Sequence, residues 1–119
     1  MKIAIITGAS VGIGSASAQL FLEEGFQVFN LSRRKSLIAG VENLQCDLAS
    51  SASIQSVCEV LAPQLAQVDS AALVHNASQM RKDSVTACDS QSLREVIETN
   101  VIGINSLNQL LLPALPASS

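Results

Sequence analysis

The feature that most constrains the fold is a glycine-rich segment directly after an apolar run near the start of the chain. Residues 3–6 are all apolar, Gly8, Gly12 and Gly14 follow, and a helical pattern begins within the segment. A strand, a tight turn and a helix in that order bring backbone N–H groups and the positive end of a helix to one point, where they bind a dinucleotide pyrophosphate. The plainer interpretation is a glycine-rich loop that only turns the chain.

The composition predicts one folded domain over residues 1–119. Of the 119 residues, 48% are hydrophobic, and the only aromatic side chains are three phenylalanines. The core is therefore built from aliphatic residues, as is common in parallel α/β proteins. A chain of this length buries about two-thirds of its unfolded surface.

Charge and cysteine usage exclude several classes of partner. The net charge of −3 lacks the basic excess that nucleic-acid binding requires. Cys46, Cys58 and Cys88 have no metal-site spacing, so we expect no metal and reduced thiols in a cytoplasmic protein. The apolar stretch 101–115 contains polar residues and a proline, so we expect no membrane span.

Short apolar runs alternate with segments of helical period along the whole chain. This alternation predicts an α/β fold, a three-layer sandwich around a parallel sheet with strand order 3-2-1-4. The fourth strand is expected to lie at an edge of the sheet. The predicted strands cover residues 2–7, 26–31, 42–46 and 71–75.

The apolar spacing of the first two helices predicts which side of each is buried. In the second helix, Ser50 or Ser51 is placed to cap the N-terminus. The predicted buried face of the first helix is Ile13, Ala16, Ser17, Leu20 and Phe21, and that of the second is Ile54, Val57, Cys58, Leu61 and Leu65.

A third long helix is predicted over residues 90–112. Ser92 and Glu95 have the spacing of a capping box at its start. Its second half is apolar on nearly every side, which requires cover from more than one direction. We therefore expect a partner surface there, and a homo-oligomer formed through helix 90–112 is one interpretation.

The segment Thr7-Gly8-Ala9-Ser10-Val11-Gly12-Ile13-Gly14 resembles the T-G-A-S-x-G-I-G signature of the short-chain dehydrogenase/reductase family. Members of that family are Rossmann-fold oxidoreductases that use a nicotinamide dinucleotide. The resemblance implies a Rossmann-like fold here. It also implies cofactor contacts at Gly8, Ser10, Gly12, Ile13 and Gly14.

The end of the second strand indicates which dinucleotide is preferred. Ser32 stands where an acidic residue would bind the ribose 2′-OH of NAD, and Arg33 and Arg34 follow it. A guanidinium group suits the 2′-phosphate of NADP through charge-assisted hydrogen bonds. NADP is therefore favoured over NAD. The alternative is a pair of solvated arginines on a loop.

Asp47-Leu48 resembles the pair that the family places against adenine after the third strand. The resemblance implies that both residues contact this part of the cofactor. An Asp in front of a serine-rich helix start is equally typical of a turn or cap.

His75-Asn76-Ala77-Ser78 resembles the family's N-N-A-G motif at the end of the fourth strand. The resemblance implies that Asn76 braces neighbouring backbone and that Ala77 lets the cofactor ribose lie close to the chain. Ser78 departs from the usual glycine, although some reductases of the family, including pteridine reductases, carry N-A-S. His75 is the only histidine and is interpreted as a structural residue at the strand end.

Asn100-Val101-x-Gly103 resembles the family's N-[VL]-x-G motif on the last helix. The family uses this Asn, through a local helix irregularity and a bound water, in a proton relay to a lysine. The resemblance thus implies that Asn100 has a catalytic role. The alternative is a polar residue at a helix kink.

The resemblance covers essentially the whole chain but only about the first half of a family member. Family members continue into a fifth strand with a catalytic Ser and then Tyr-x-x-x-Lys, whereas this chain has no tyrosine. We therefore expect the NADP(H)-binding part of a reductase, truncated before the fifth strand and without hydride transfer of its own. A small carbonyl or alcohol substrate is expected only in a complete enzyme. The alternative is a non-catalytic nucleotide-binding or oligomerisation module.

Overall fold

The computed structural model describes all residues from Met1 to Ser119. Strands and helices alternate through the first two-thirds of the chain except between the second and third strands, which a loop joins, and a longer helical segment follows. The strands are β1 (Lys2–Thr7), β2 (Gln27–Ser32), β3 (Val41–Gln45) and β4 (Ser70–Val74). The helices are α1 (Gly12–Glu23), α2 (Ser51–Leu65), α3 (Ser90–Ile97) and α4 (Gly103–Leu111).

The four strands form one parallel sheet in the order β3-β2-β1-β4, which confirms the predicted topology. Ile5 lies opposite Phe29 on β2 and opposite Leu73 on β4. Because all strands are parallel, their carboxyl ends meet at one edge of the sheet, where ligands bind in folds of this kind.

Helices pack on both faces of the sheet and create three layers. On one face, Ile3 and Ile5 belong to the larger core cluster, which also contains Leu61 of α2 and Leu107 of α4. On the other face, the smaller cluster holds Ala4, Ile6, Ala9, Ala18 and Val28 beside α1. The strand β1 is therefore covered on both sides, as its unbroken apolar run predicts.

The helix α1 turns a different face to the sheet from the one predicted. Its buried residues are Gly14 and Ala18, whereas the side chains of Ile13 and Leu20 are largely exposed. Small residues let the helix approach the sheet closely, and a count of large apolar side chains misses such a face. The predicted face of α2 is confirmed, and Ser50 caps that helix by accepting a hydrogen bond from the Ser53 N–H.

The predicted helix over residues 90–112 is a helical rod with an irregular centre. A π-helical segment, Glu98–Ile102, joins α3 to α4. The rod begins at Ser90, and the Asp89 carboxylate caps it by accepting a hydrogen bond from the Ser92 N–H at 2.9 Å. The predicted capping box starting at Ser92 is therefore wrong. None of the helices has the length and apolar character required to cross a membrane.

Candidate functional site

An open cavity of about 720 Å³ lies at the carboxyl ends of the strands. This volume is within the range of small-molecule and cofactor sites. It is lined by the turn after β1, the end of β2, and the loops after β2, β3 and β4, so it lies where the strand order reverses across the sheet. The predicted site residues that line it are Gly8, Ser10, Arg33, Arg34, Asp47, Leu48, Asn76, Ala77 and Ser78.

Close backbone approach explains two glycines of the turn between β1 and α1. Gly8 has a φ of 70°, and a Cβ there would lie 3.0 Å from Ala77. A Cβ on Gly14 would overlap the Gly8 carbonyl oxygen and lie 2.5 Å from the Asn76 amide nitrogen. The turn, the start of α1 and the loop after β4 therefore pack together only without these side chains.

Thr7 and Asn76 fasten the end of β1 to the loop after β4. The Thr7 hydroxyl oxygen accepts hydrogen bonds from the backbone N–H groups of Asn76 and Ala77, both at 3.0 Å. The Asn76 side-chain amide donates to the Gly8 carbonyl at 3.1 Å. The expectation that Asn76 braces neighbouring backbone is confirmed, and Thr7 is a second member of this brace.

The helix α1 adjoins the cavity and lines it through its N-cap residue alone. Its N-cap residue, Val11, supplies no side-chain hydrogen bond to the first turn. Gly12, Ile13 and Gly14 lie outside the cavity lining, and the Ile13 side chain is 80% exposed. Cofactor contacts at these three residues stay a prediction.

Arg33 and Arg34 are exposed at the cavity and free of ion pairs. The structure has two ion pairs, one between the N-terminal amino group and Asp69 and the other between Arg81 and Glu95. No acidic side chain follows β2, where Ser32 instead approaches the Ser10 hydroxyl at 3.5 Å. The two guanidinium groups are therefore available to an anionic ligand in the cavity.

Asn30 does not line the cavity but holds backbone next to it, and the sequence motifs do not include it. It is 1% exposed, and its side-chain oxygen accepts a hydrogen bond from the Ala9 N–H at 2.9 Å. Its amide nitrogen donates to the Arg34 carbonyl at 3.1 Å and to the Asn43 side-chain oxygen at 2.9 Å. The signal in the sequence is a polar residue inside an apolar strand. A buried amide requires hydrogen-bond partners, so such a residue is expected to hold neighbouring groups.

Asp47 forms the turn between β3 and α2. Its carboxylate accepts a hydrogen bond from the Ala49 N–H, and its own N–H donates to the Ser53 hydroxyl, both at 2.9 Å. Asp47 therefore has the turn role that the sequence allowed, and it also lines the cavity. Leu48 is buried, and a Cβ on Gly103 would overlap its carbonyl oxygen, so α4 passes very close to this turn.

The two buried cysteines carry protonated thiols. Burial raises the pKa of Cys46, which lines the cavity, and raises the pKa of Cys58 to about 11. A thiol with a raised pKa is a weak nucleophile at neutral pH. No group of three His, Cys, Asp or Glu side chains is arranged to hold a metal ion.

Asn100 lies in the π-helical segment and forms two hydrogen bonds to the loop after β4. Its side-chain oxygen accepts from the Gln79 N–H, and its amide donates to the Gln79 carbonyl, both at 2.7 Å. The expected helix irregularity is confirmed, but Asn100 does not line the cavity. Its catalytic role stays a prediction.

Further residues at the cavity rim were not predicted. Arg81 pairs with Glu95 of α3 at 2.6 Å, and the Thr99 hydroxyl donates to the Gln79 side-chain oxygen at 3.1 Å. All four line the cavity together with Val11. These contacts join residues 14 to 20 positions apart, so local sequence patterns do not reveal them.

His75 and Ser78 follow β4, and the structure gives them different surroundings. The His75 Nε2 atom lies 2.7 Å from the Asn108 side-chain oxygen on α4, a hydrogen bond that ties the end of β4 to the rod. This contact supports the structural interpretation of His75. Ser78 lines the cavity, and no residue other than glycine has a positive φ, so Ser78 is accommodated without left-handed backbone.

A parallel sheet in this order, with a glycine turn and a cavity at the strand ends, defines a Rossmann-type protein. The family model described as short chain dehydrogenase matches residues 2–119. The chain therefore belongs to the short-chain dehydrogenase family.

Relatives of known name support this assignment over part of their length. Farnesol dehydrogenase of Aedes aegypti is 33% identical over 116 residues, which cover 87% of this chain and 46% of the relative. A 3-oxoacyl-(acyl-carrier-protein) reductase of Escherichia coli is 30% identical over 122 residues, covering 96% of this chain and 49% of the relative. The chain thus spans about half the length of the curated relatives it matches.

Solved structures agree with the fold. Aldohexose dehydrogenase of Thermoplasma acidophilum, in ligand-free form, has a TM-score of 0.86 at 25% identity, covering 96% of this chain and 44% of that chain. A 3-ketoacyl-(acyl-carrier-protein) reductase of Brucella melitensis, complexed with NADH, has a TM-score of 0.82 at 24% identity, covering 95% and 50%. That neighbour carries a nicotinamide dinucleotide on the same fold.

Proposed function

We propose that this chain is the NADP(H)-binding portion of a short-chain dehydrogenase/reductase. In this proposal, Arg33 and Arg34 hold the 2′-phosphate, and the pyrophosphate is held by Gly8, Ser10, Gly12, Ile13 and Gly14. Asp47 and Leu48 contact the adenine. Asn76 and Ala77 contact the ribose of the cofactor, and Ser78 is a further cofactor-binding residue.

The proposal rests on the guanidinium groups of Arg33 and Arg34, which lie at the cavity wall and form no ion pairs. They extend from the end of β2, where an acidic residue would select NAD by binding its ribose 2′-OH. Ser32 occupies that position, so no carboxylate at the end of β2 repels a phosphate. Charge-assisted hydrogen bonds from a guanidinium to a phosphate are among the stronger polar contacts in proteins.

The proposal predicts that Arg33→Ala removes the preference for NADPH. We expect its NADPH dissociation constant to rise about tenfold or more, because a hydrogen bond to a charged group contributes about 1.5–3 kcal/mol. The dissociation constant for NADH should change about twofold or less. Fluorescence titration of both reduced cofactors measures the effect.

Lys35→Ala is the matched control for this titration. It removes one positive charge from the same loop, but Lys35 does not line the cavity. If it weakens NADPH binding as much as Arg33→Ala, general electrostatic attraction accounts for the preference and the 2′-phosphate assignment is wrong.

For the complete enzyme, we propose hydride transfer from NADPH to a carbonyl substrate, or in the reverse direction from an alcohol to NADP⁺. NADPH supplies the hydride when bound. Within residues 1–119 no tyrosine is present, and Asn100 is the one residue proposed for a proton relay. Its hydrogen bonds to Gln79 support a local role, which is to hold the loop after β4 against the π-helical segment.

We place the protein in the cytoplasm, because all three of its cysteines are free thiols.

A second candidate function is a non-catalytic module that self-associates through the helix at 90–112. It is favoured by exposed apolar side chains along the rod, among them Val101 at 59% and Leu112 at 53%. Light scattering after size-exclusion chromatography separates the two functions. An oligomer that is indifferent to NADPH supports the module, and a monomer stabilised by NADPH supports cofactor binding.

A further inference from the structure

The loop that carries Arg33 and Arg34 has no backbone-to-backbone hydrogen bonds over residues 33–37. It leaves β2 after Ser32, and the next such bond joins Val41 to Ile38. A segment without this support takes its position from side-chain contacts. The location of the two guanidinium groups therefore depends on the side chains that hold the loop.

Asn43 on β3 holds the loop at Ser36. Its side-chain oxygen accepts hydrogen bonds from the Ser36 N–H at 2.8 Å and from the Asn30 amide at 2.9 Å. Its own amide donates to the Ser36 carbonyl at 3.4 Å. A single side chain on the neighbouring strand thus holds both backbone polar groups of Ser36.

Asn30 joins this arrangement to the glycine turn. Its oxygen accepts from the Ala9 N–H, while its amide donates to the Arg34 carbonyl and to Asn43. Asn30 lies directly opposite Asn43 in the strand register. The turn proposed for the pyrophosphate and the loop proposed for the 2′-phosphate are therefore connected through two adjacent amides.

We infer that Asn43 is a positioning residue that sets the preference for a 2′-phosphorylated nucleotide. The inference rests on the proposed NADP(H) function. Asn43 does not line the cavity and acts through Ser36 and Asn30. Because the Ala9–Asn30 hydrogen bond does not involve it, its loss leaves the glycine turn in place. The arginine loop is then freed at Ser36 and keeps only the contacts of Asn30 and the Ser32 hydroxyl with the Arg34 backbone.

The freed loop must be ordered again when a 2′-phosphate binds, and this ordering lowers affinity. A ligand without that phosphate does not require the ordered loop. The expected signature is therefore a selective loss for the 2′-phosphorylated ligand. A merely structural role for Asn43 would weaken both kinds of ligand alike.

The test is calorimetric titration of the full chain with adenosine 2′,5′-bisphosphate and adenosine 5′-monophosphate, whose comparison isolates the 2′-phosphate. In Asn43→Ala we expect the dissociation constant for the bisphosphate to rise about five- to tenfold, the range for loss of one or two hydrogen bonds. The monophosphate should change about twofold or less.

Gln27→Ala is the matched control. Gln27 also links β2 to β3, through a hydrogen bond from its amide to the Glu42 carboxylate at 2.8 Å, but it lies at the other end of the strands and away from the arginine loop. It should leave both dissociation constants within about twofold of the wild-type values, the scatter expected of a surface substitution. A loss of bisphosphate affinity equal to that of Asn43→Ala would overturn the inference.

The inference is overturned if Asn43→Ala weakens both ligands equally or leaves both unchanged. Asn43→Val, which keeps strand propensity without the amide, replaces it if the alanine variant has no cooperative melt. Failure of both to fold would make Asn43 a residue of the fold itself and overturn the inference. If wild-type protein does not distinguish the two ligands, the proposed function fails as well. If wild-type protein distinguishes the two ligands, and Arg33→Ala removes the difference while Asn43→Ala does not, only the inference fails.

Discussion

The strand ends around the cavity and the helical rod from Ser90 to Leu111 differ in how completely their side chains are buried and hydrogen-bonded. At the strand ends, Thr7 and Asn30 are almost fully buried, and no buried side-chain polar atom lacks a hydrogen-bond partner. Along the rod, α3 has no buried residue at all. The cavity wall is therefore built within this chain, whereas the rod keeps apolar surface in excess.

The two regions touch at several points, among them the Arg81–Glu95 ion pair and the His75–Asn108 hydrogen bond. Gly103 brings α4 against the Leu48 carbonyl, and Asn100 grips the backbone of Gln79 beside the cavity. Leu107 and Leu111 then fix the same helix in the core. The buried side of the rod thus belongs to the core, whereas Val101 and Leu110 are largely exposed.

The largest expected effect comes from removing the buried side of the rod. Leu107 is fully buried, so Leu107→Ala should lower the free energy of unfolding by about 3–4 kcal/mol through lost transfer energy and a cavity. Leu110 on the same helix is 45% exposed, and Leu110→Ala should cost about 1 kcal/mol or less. Chemical denaturation of the two variants makes the comparison.

Equal losses in Leu107→Ala and Leu110→Ala would contradict the one-sided anchoring of the rod. They would mean that the exposed side is also covered, as in the self-associating candidate. Repeating the denaturation at two protein concentrations identifies that case, because the stability of an associated state depends on concentration.

A smaller effect is expected at the glycine turn. In Gly14→Ala, the new Cβ meets the Gly8 carbonyl and the Asn76 amide, so we expect a loss of about 2–3 kcal/mol, typical of overpacking. In Gly12→Ala, nothing lies within 4 Å, but φ is 61° and the left-handed conformation should cost about 1–2 kcal/mol. Thermal melts of both variants rank the two costs.

If Gly12→Ala proved the more damaging of the two, the close packing of turn, helix and β4 loop would be wrong. An unchanged melting temperature in Gly14→Ala would have the same meaning. Either result would make the cavity wall as loosely held as the exposed side of the rod.

Much of the fold could be predicted because its signals are local. An unbroken apolar strand, a glycine turn and regular alternation indicate the parallel sheet and its order. The spacing of Ile54, Val57, Cys58 and Leu61 likewise gives the buried face of α2, since that helix packs through large aliphatic side chains. Nine of the predicted site residues line one cavity because they follow strands whose carboxyl ends meet at a single edge.

The remaining features depend on packing distances or on pairings between strands. The helix α1 lies so close to the sheet that Gly14 and Ala18 face it, and hydrophobicity alone selected Ile13 and Leu20 instead. The contact between Asn30 and Asn43 exists only because the strand register places them opposite each other. No local pattern distinguishes Asn43 from any other polar residue on an edge strand.

The most direct test of the central claim is the ratio of the dissociation constants of the wild-type chain for NADH and NADPH, measured by fluorescence titration at one fixed salt concentration. Guanidinium contacts to the 2′-phosphate predict that NADPH binds about tenfold more tightly or better. Equal affinities for the two cofactors would contradict the assignment of Arg33 and Arg34 to that phosphate.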